Sequence, residues 1–508
     1  MAQPQQNITI AAPGFGGLNT ETSPVQQNEA FAAVADNCVI DRYGRVGSRK
    51  GYVSQVTDGS ALSSASVDAI AEFVGEDGST TMFCAGNGKI LKDVSGTLTD
   101  VTPAGYGAIS ADNWQIIPFN DQCFFVQRGY DPIVYDRTGD TYQSLTDLLR
   151  TIKPKANCGV AAAGRLWLAD TDTDQSTVYW SDLLIGSNFD SGTAGSIDIS
   201  EYWPRGHDTI TGITIHNNFL IIFGKESILV YEGAAGDPAT NLSLVDTVDG
   251  MGCIARDTIK NTGSDVFFLD NSGVRSFART IQEKSMPIGE VSANIRTELQ
   301  EEIGLNSDNI FAFYSQEESI YVLTFPTSAL SYCFSTKGLN EDGTHRCTKW
   351  LGQSYQCATR TQSGFIMVGG VADYLVYGGY TDDGATYTMA YTSNPLSFGD
   401  STRLKFPKQV DWTIISSSDG VFTTNWAFDY RPAGKTKDTD MDQGGAPGEY
   451  NVGEYNIAEF TGGVAVQRYK VNLSGHGVYV QIGMSTTISG ALVSLQEINI
   501  QALLGRIT

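Results

Sequence analysis

From about residue 65 to residue 391 the chain repeats one pattern: a short run of consecutive apolar residues, a turn rich in Gly, Asn and Asp, then a second and often a third run. TTMFCAGNGKILKDV sets two runs around Asn87-Gly88, a dipeptide that supplies the positive φ angles of a tight hairpin turn. WQIIPFNDQCFFVQRGYDPIVYD holds three runs, and GRLWLADTDTDQSTVYWSD follows it. TGITIHNNFLIIFGKESILVYEG again holds three, turning at Asn217-Asn218 and at Gly224-Lys225-Glu226. SDVFFLDNSGVRSF, NIFAFYSQEESIYVLTF and SGFIMVGGVADYLVYGGY continue the series.

Aligning the middle apolar residues gives Phe83, Phe124, Trp167, Leu220, Phe268, Tyr321 and Ile366, at steps of 41, 43, 53, 48, 53 and 45 residues. A period of roughly 40–50 residues with three or four strands per unit is what a β-propeller blade requires. One blade cannot bury both its faces; packing blades around an axis covers them and leaves only short edges. The pattern therefore predicts an all-β chain with a propeller of six or seven blades over 61–395. A pair of β-sandwiches is the competing reading.

Two helices are expected. In GEVSANIRTELQEEIG the apolar residues Val291, Ile295, Leu299 and Ile303 fall four apart on one stripe, with Glu298, Glu301 and Glu302 on the other face. It would pack outside a blade or against another subunit. EAFAAVADN (29–37) predicts a shorter helix within an N-terminal arm spanning 1–60. Past 396 the texture changes to polar–apolar alternation, as in KQVDWTIIS and Tyr469-Lys470-Val471-Asn472-Leu473. That predicts a separate C-terminal β-sandwich over 396–508, carrying a long exposed acidic loop at 434–456.

Composition agrees with this picture. Of 508 residues, 55 are Gly and 18 % are charged, unlike a helical bundle, while 41 % are hydrophobic, enough for a sizeable core. No stretch approaches a membrane-spanning run, and MAQPQQNITI lacks the basic and apolar regions of a signal peptide. The net charge of −24 is uneven: about −23 over 1–400 and −1 over 401–508. An acidic body argues against wrapping nucleic acid, which needs Lys and Arg to displace counterions, though it suits a wall that a phosphate backbone slides past.

Candidate chemistry is sparse. The cysteines at 38, 84, 123, 158, 253, 333, 347 and 357 form no CxxC pair and sit mostly in apolar runs, so they read as buried thiols. Cys347 beside His345, with Cys333 and Cys357, is a metal candidate whose spacing fits no standard zinc pattern. Asp438, Asp440, Asp442 and Glu449 occupy positions 1, 3, 5 and 12 of a calcium loop, but position 6 is Gln443 rather than Gly. Thr171-Asp172-Thr173-Asp174 poses the same question in miniature and reads as an exposed turn. The four histidines, 207, 216, 345 and 476, sit in no catalytic arrangement, and the GFGG of 14–17 precedes no suitable helix and reads as a flexible arm. Arg42, Arg45, Arg49 and Lys50 cluster in RYGRVGSRKGY and are expected to pair with acidic groups of this chain or of a neighbour. No cofactor is implied, and the chain reads as a non-enzyme.

The segment GFGGLNTETSPVQQNEAFAAVADNCVIDRYGRVGSRKGY resembles the N-terminal signature of tail hub or nozzle proteins of short-tailed bacteriophages. The matching elements are Gly16-Gly17-Leu18-Asn19, Ser23-Pro24, Glu29-Ala30, Asn37, Asp41 and Gly44, and Arg49 to Tyr52. GRLWLAD with VYWSDL, ITGITIHNNFLIIFGKESILVYEG, and MGCIARDTIKNTGSDVFFLDNSGVRSF are similar too. The resemblance implies a structural virion protein made in the host cytoplasm. Its propeller-bearing copies would form a ring, hexameric in that family, around the exit channel for packaged double-stranded DNA. The ring would dock on a head–tail adaptor and carry tail fibres or spikes. A receptor- or glycan-binding adhesin and a propeller glycosidase are the alternatives: exposed Trp and Tyr would favour the first, convergent buried carboxylates the second.

Overall fold

The computed structural model describes residues 5–23, 27–104, 106, 113–277, 290–306, 309–340, 343–417, 419–431, 434–441 and 465–507. Within them, antiparallel sheets form at 69–100, 115–144, 156–198, 210–249, 260–276, 311–351 and 357–377. The innermost strand of each sheet touches that of the next, with the turn Arg256–Thr258 linking the fourth sheet to the fifth and sixth. Strand Cys357–Arg360 returns to Ala69–Val74, so the seven sheets close into a ring and are blades 1–7 of a β-propeller.

The apolar runs follow directly from this closure. In a strand, alternate side chains point to opposite faces, and here both faces meet another blade. On Gln122–Val126, Cys123 and Phe125 pack towards blade 1 while Phe124 and Val126 pack towards blade 3. On Arg165–Thr171, Leu166 and Leu168 face blade 2 while Trp167 and Ala169 face blade 4. Every gap between blades is filled by its own apolar cluster. The seven residues aligned at steps of 41–53 each lie on the second strand of a blade. The turn at Asn87-Gly88 takes the positive φ angles expected, as does Asn217-Asn218.

A β-sandwich packs beside blade 6. One of its sheets pairs Arg403–Ser416 with Val493–Ile507 and Ala465–Asn472. The other pairs Val480–Ile488 with Tyr387–Ser393 and Gly420–Phe428, and Lys435–Met441 completes it. Trp412, Phe422, Met484 and Ile498 fill the space between them, and this core runs unbroken into the gap between blades 5 and 6. The helix is shorter than its stripe predicts: it spans Arg296–Leu305, so Val291 lies ahead of it and Ile295 in the short turn Ala293–Ile295, and of the stripe's four residues Val291, Ile295 and Leu299 are buried while Ile303 is half-buried. Its contacts are to blades 5 and 6 and to the N-terminal segment: Glu298 pairs with Lys349, Asn306 bonds Ser328, and the Thr297 hydroxyl donates to Glu21.

The first 54 residues are a seam, not a free arm. Gln5–Ala11 and Val46–Ser48 add to the sandwich through Val493–Ile507. Gly17–Leu18 and Phe31–Asp36 bridge blade 6 to the sandwich strand Tyr387–Ser393, making one ten-stranded sheet. Tyr52–Ser54 pairs with Tyr374–Tyr377 as the fourth strand of blade 7. The helix expected at 29–37 is therefore a strand. Its Ala-rich composition favours helix locally, but unpaired edges on either side of it supply backbone partners that outweigh a weak intrinsic preference. GFGG is likewise fixed: the Gly16 amide donates to the Ala30 carbonyl, and Gly17 pairs with Cys347.

The seam makes a prediction. Removing residues 1–54 uncovers edges in blades 6 and 7 and in both sandwich sheets, so the fragment 55–508 should aggregate or lose its cooperative melting transition. A soluble fragment melting as the full chain does, read by circular dichroism, would contradict the seam.

Candidate functional site

Two places gather charged residues: the seam and the propeller axis. At the seam, the strand turn after Ile40 places Asp41 to accept hydrogen bonds from the Tyr43 and Arg45 amides, and Arg45 closes an ion pair with Asp41 at 2.7 Å. Arg42 lies 4.8 Å over the Tyr43 ring. Arg49 is fully buried. Its guanidinium holds both oxygens of Asp382, at 2.8 and 2.6 Å, and donates to Asn37 Oδ1 at 3.1 Å. It lies 4.1 Å from the Tyr387 ring, whose hydroxyl donates to the Arg49 carbonyl. Burial lowers the Arg49 pKa, and the Asp382 hydrogen bonds and charge outweigh it, so the group is held above its ordinary value. Lys50 reaches Glu317 at 3.0 Å and Glu318 at 3.6 Å. The cluster thus pairs mainly within its own chain, as the acidic body leads one to expect.

The axis is crossed by a second arginine. Arg256 begins the turn Arg256–Thr258 that leads into blade 5. Its guanidinium donates to the Trp114 carbonyl of blade 2 at 3.3 Å and to the Asn157 carbonyl of blade 3, and pairs with Asp257 at 2.8 Å. Asn157 Nδ2 in turn donates to Asp170 at 2.9 Å, and Arg128 pairs with the same carboxylate. Asp170 is buried at φ 61°, a left-handed conformation that Asp tolerates better than most residues. Burial raises its pKa, against the hydrogen bonds from Arg128 and Asn157. Beside this bar lies a cavity of about 170 Å³ lined by Asp68, Trp114, Gln115, Asp257, Lys260 and Thr359 among others. Lys260 opens onto the cavity, and burial lowers its ammonium pKa more than Asp257 raises it. The cavity holds a few waters or a small solute. It admits no duplex DNA, whose major groove alone is about 12 Å wide.

The other sequence candidates separate. Asp438 and Asp440 lie on the strand Lys435–Met441, where the Thr423 hydroxyl donates to Asp438 at 2.7 Å. An extended strand points ligands at i and i+2 the same way but does not wrap them around an ion, so these two do not begin a calcium loop. Asp442 and Glu449, with the rest of the 434–456 loop past Met441, lie outside the described residues. Thr171–Asp174 is a turn closed by its own hydroxyl and amide. His345 Nδ1 contacts the Ser335 carbonyl at 2.6 Å, its neighbouring thiols are free, and among the described residues no three metal-ligating side chains converge. Sequence reasoning passed over Arg256 and Asp170 as site residues. Both fall inside the blocks MGCIARDTIK and GRLWLAD quoted for the resemblance, but nothing in those blocks marks them as contacts between blades.

No family model and no curated protein matches the sequence. Among solved structures, the chain is similar to the extracellular domain of a hybrid two-component system from B. thetaiotaomicron, at 9 % identity and a TM-score of 0.41, covering 66 % of this chain and 40 % of that one. It is similar to the Neurospora crassa Pan2 WD40 domain, at 8 % identity and a TM-score of 0.39, covering 65 % and 95 %. It is similar to BamB from Moraxella catarrhalis, at 12 % identity and a TM-score of 0.35, covering 73 % and 97 %. The propeller assignment rests on the strand order of the chain itself.

Two predictions follow from the buried charges. Arg49→Met strands Asp382 beside apolar rings and should lower stability to urea by about 3 kcal/mol, part of which Asp382→Leu restores in the double variant; an unchanged midpoint would remove Arg49 from the fold's essential contacts. At the axis, neighbouring cations should act with opposite signs. Arg256→Met leaves two carbonyls and Asp257 without their donor and should destabilise by about 2 kcal/mol. Lys260 has a folded-state pKa below its unfolded value, so its charge opposes folding at neutral pH, and that penalty fades as pH rises through the folded pKa. Lys260→Met should therefore raise the melting temperature at pH 7 and shrink the gain seen at alkaline pH.

Proposed function

We propose that this chain is a structural, self-assembling virion protein, a tail hub or nozzle subunit of a short-tailed bacteriophage. Its copies form a ring around the exit path for packaged DNA. The observation that carries this reading is the position of the signature residues. Asn37, at φ 52°, accepts from Arg49 and from the Leu351 amide of blade 6, and donates to the Thr388 carbonyl of the sandwich at 2.9 Å. Asn19 holds the amides of Glu21 and Thr22 and donates to Asn294. A side chain at Gly17 would meet the Cys347 carbonyl at 2.5 Å, and one at Gly51 the Thr381 carbonyl at 1.9 Å. The residues that carry the resemblance are thus those that lock propeller to sandwich, which supports a shared two-part architecture.

Two further features fit. The Arg256 contacts span the propeller's centre and the cavity beside them is about 170 Å³, too small for a duplex, so in this reading the conduit for DNA is enclosed between copies. An acidic body repels a phosphate backbone and lets it slide. In this reading the ring docks on a head–tail adaptor, bears fibres or spikes, and retains DNA until release. Of the Trp and Tyr residues that would favour the adhesin alternative, all seven tryptophans are buried, while Tyr43, Tyr202 and Tyr430 are exposed in three different parts of the fold. Against the glycosidase alternative, three buried carboxylates sit apart with their own partners: Asp170 with Arg128, Asp208 on the Lys225 and Glu226 amides, and Asp411 with Arg468. The one pair that converges among the described residues, Asp270 and Glu290, is held on either side of Arg275, at 4.0 and 3.9 Å, and Glu290 also pairs with Arg296.

Sedimentation velocity and negative-stain imaging of the purified chain test the reading. A closed ring with a central opening, and no retention of duplex DNA at physiological ionic strength, is the expected result. A monomer at all concentrations, or tight DNA binding, would reject it.

A further inference from the structure

Most arginines in this acidic chain face a carboxylate, as Arg45, Arg49, Arg128, Arg137, Arg205 and Arg256 do. Arg346, like Arg150 and Arg165, has a buried Nε without a partner and no ion pair among the described residues, and of the three it is the one that lines an open cavity beside the seam. It lies on the outer strand of blade 6, His345–Leu351, and lines a cavity of about 410 Å³ where the seam loop 13–16 meets that strand. Its Nη2 donates to the Pro13 carbonyl at 2.7 Å, and its Nε is buried with no partner. Among the described residues no carboxylate pairs with it. Burial lowers its pKa and no neighbouring charge opposes the shift. The rest of the lining is uncharged: Pro13, Phe15, Phe31 and Leu339 are apolar, and Asn340 supplies an amide. Leu339 stands 55 % exposed at the rim. A half-buried guanidinium among apolar side chains, in a chain of net charge −24, is a site whose counter-charge comes from elsewhere.

Residues 442–464 supply that chemistry. DQGGAPGEYNVGEYNIAEFTGGV contains four carboxylates and no lysine or arginine, and it repeats an acid followed by an aromatic at a spacing of five: Glu449-Tyr450, Glu454-Tyr455, Glu459-Phe460. One such pair offers a carboxylate to the guanidinium and a ring to the apolar lining. We infer that the Arg346 cavity is a docking site for the acid–aromatic segment 442–464 of a second copy of this chain. The segment leaves from the sandwich strand ending at Met441, and its midpoint reaches about 35 Å at full extension, far enough to meet a neighbour. The choice of a second copy rests on the self-assembly reading; the chemistry of the cavity does not.

The test has two arms. A fluorescent peptide of residues 446–462, acetylated and amidated, is titrated into the full chain carrying Glu449→Gln, Glu454→Gln and Glu459→Gln, so that its own segment does not compete. Saturable binding is expected, weakened about tenfold by Arg346→Gln or by replacing the three glutamates of the peptide. Because Arg346 also holds the Pro13 carbonyl, Leu339→Glu is the second variant: it sets a repelling charge at the exposed rim and should weaken binding similarly with no change in melting temperature. Absent binding, or binding indifferent to Arg346 and to the glutamates, overturns the site. In the second arm, sedimentation compares Arg346→Gln alone, the triple glutamine chain alone, and their mixture. Docking between copies predicts weakened assembly for each alone and association in the mixture, where one chain brings the segment and the other the cavity. Peptide binding without association in the mixture overturns the second copy as occupant. Rings that persist unchanged in both variants overturn the docking while leaving the ring reading standing, and a wild-type monomer that binds the peptide overturns the ring reading and the second copy together.

Discussion

Strands buried on both faces are stable only if every gap between blades is filled, and the gap that closes the ring is the one where Cys357–Arg360 of blade 7 meets Ala69–Val74 of blade 1. Blade 7 has three strands of its own and takes its fourth from residues 52–54, which ties the N-terminal segment to the closing blade. The anchor of that strand, Arg49, is bound to Asp382 from 333 positions away. The pair is buried on the arginine side and flanked by Trp350, Tyr52 and Tyr387. An ion pair in such surroundings adds little net stability, but a misaligned strand would leave the charge uncompensated. Its effect is to select one register for that strand.

The same seam joins the propeller to the sandwich. Phe31–Asp36 lies between a blade and a sandwich strand, and Asn37 bonds to both sides at once. A core passes unbroken from one part to the other, so among the described residues the two halves are joined by packing and not by a bare linker. The axis bar adds to this: Arg256 ties blades 2, 3 and 5 across the centre, where a propeller otherwise depends on contacts between neighbours alone.

Much of this was legible in the sequence. Continuous apolar runs between Asn- and Gly-rich turns gave away strands buried on both faces, and aligning Phe83 through Ile366 located the second strand of every blade. The helix carrying Leu299 and Ile303 was legible because a period near four is hard to produce otherwise, though it begins only at Arg296, past Val291 and Ile295. What escaped was whatever depends on long-range pairing. Tyr52–Ser54 is too short to carry a pattern. Phe31–Asp36 is Ala-rich and looks helical until its partners, Leu18 on one side and Tyr391 on the other, are known. Asp438 and Asp440 mimicked a metal loop because alternate acids are equally the mark of a strand edge facing solvent, where charge discourages further pairing. Arg256 had no motif of its own: what makes it a bar is the position of two carbonyls from other blades, which no local spacing encodes.

Three arginines show how one side chain takes its meaning from its surroundings. Arg49 is buried with a carboxylate and fixes a register. Arg256 is buried with carbonyls as well as Asp257, and fixes a geometry across the axis. Arg346 has one carbonyl and an unpartnered Nε. A desolvated cation without a counter-charge is a standing cost to the isolated fold, and with 57 acidic residues in the chain a compensating Asp or Glu nearby was chemically within reach. Folding of the described residues gives no reason for that vacancy; under the proposed assembly a charge left uncompensated in one copy would be compensated by another, and the free energy withheld from folding would be available to the contact between molecules.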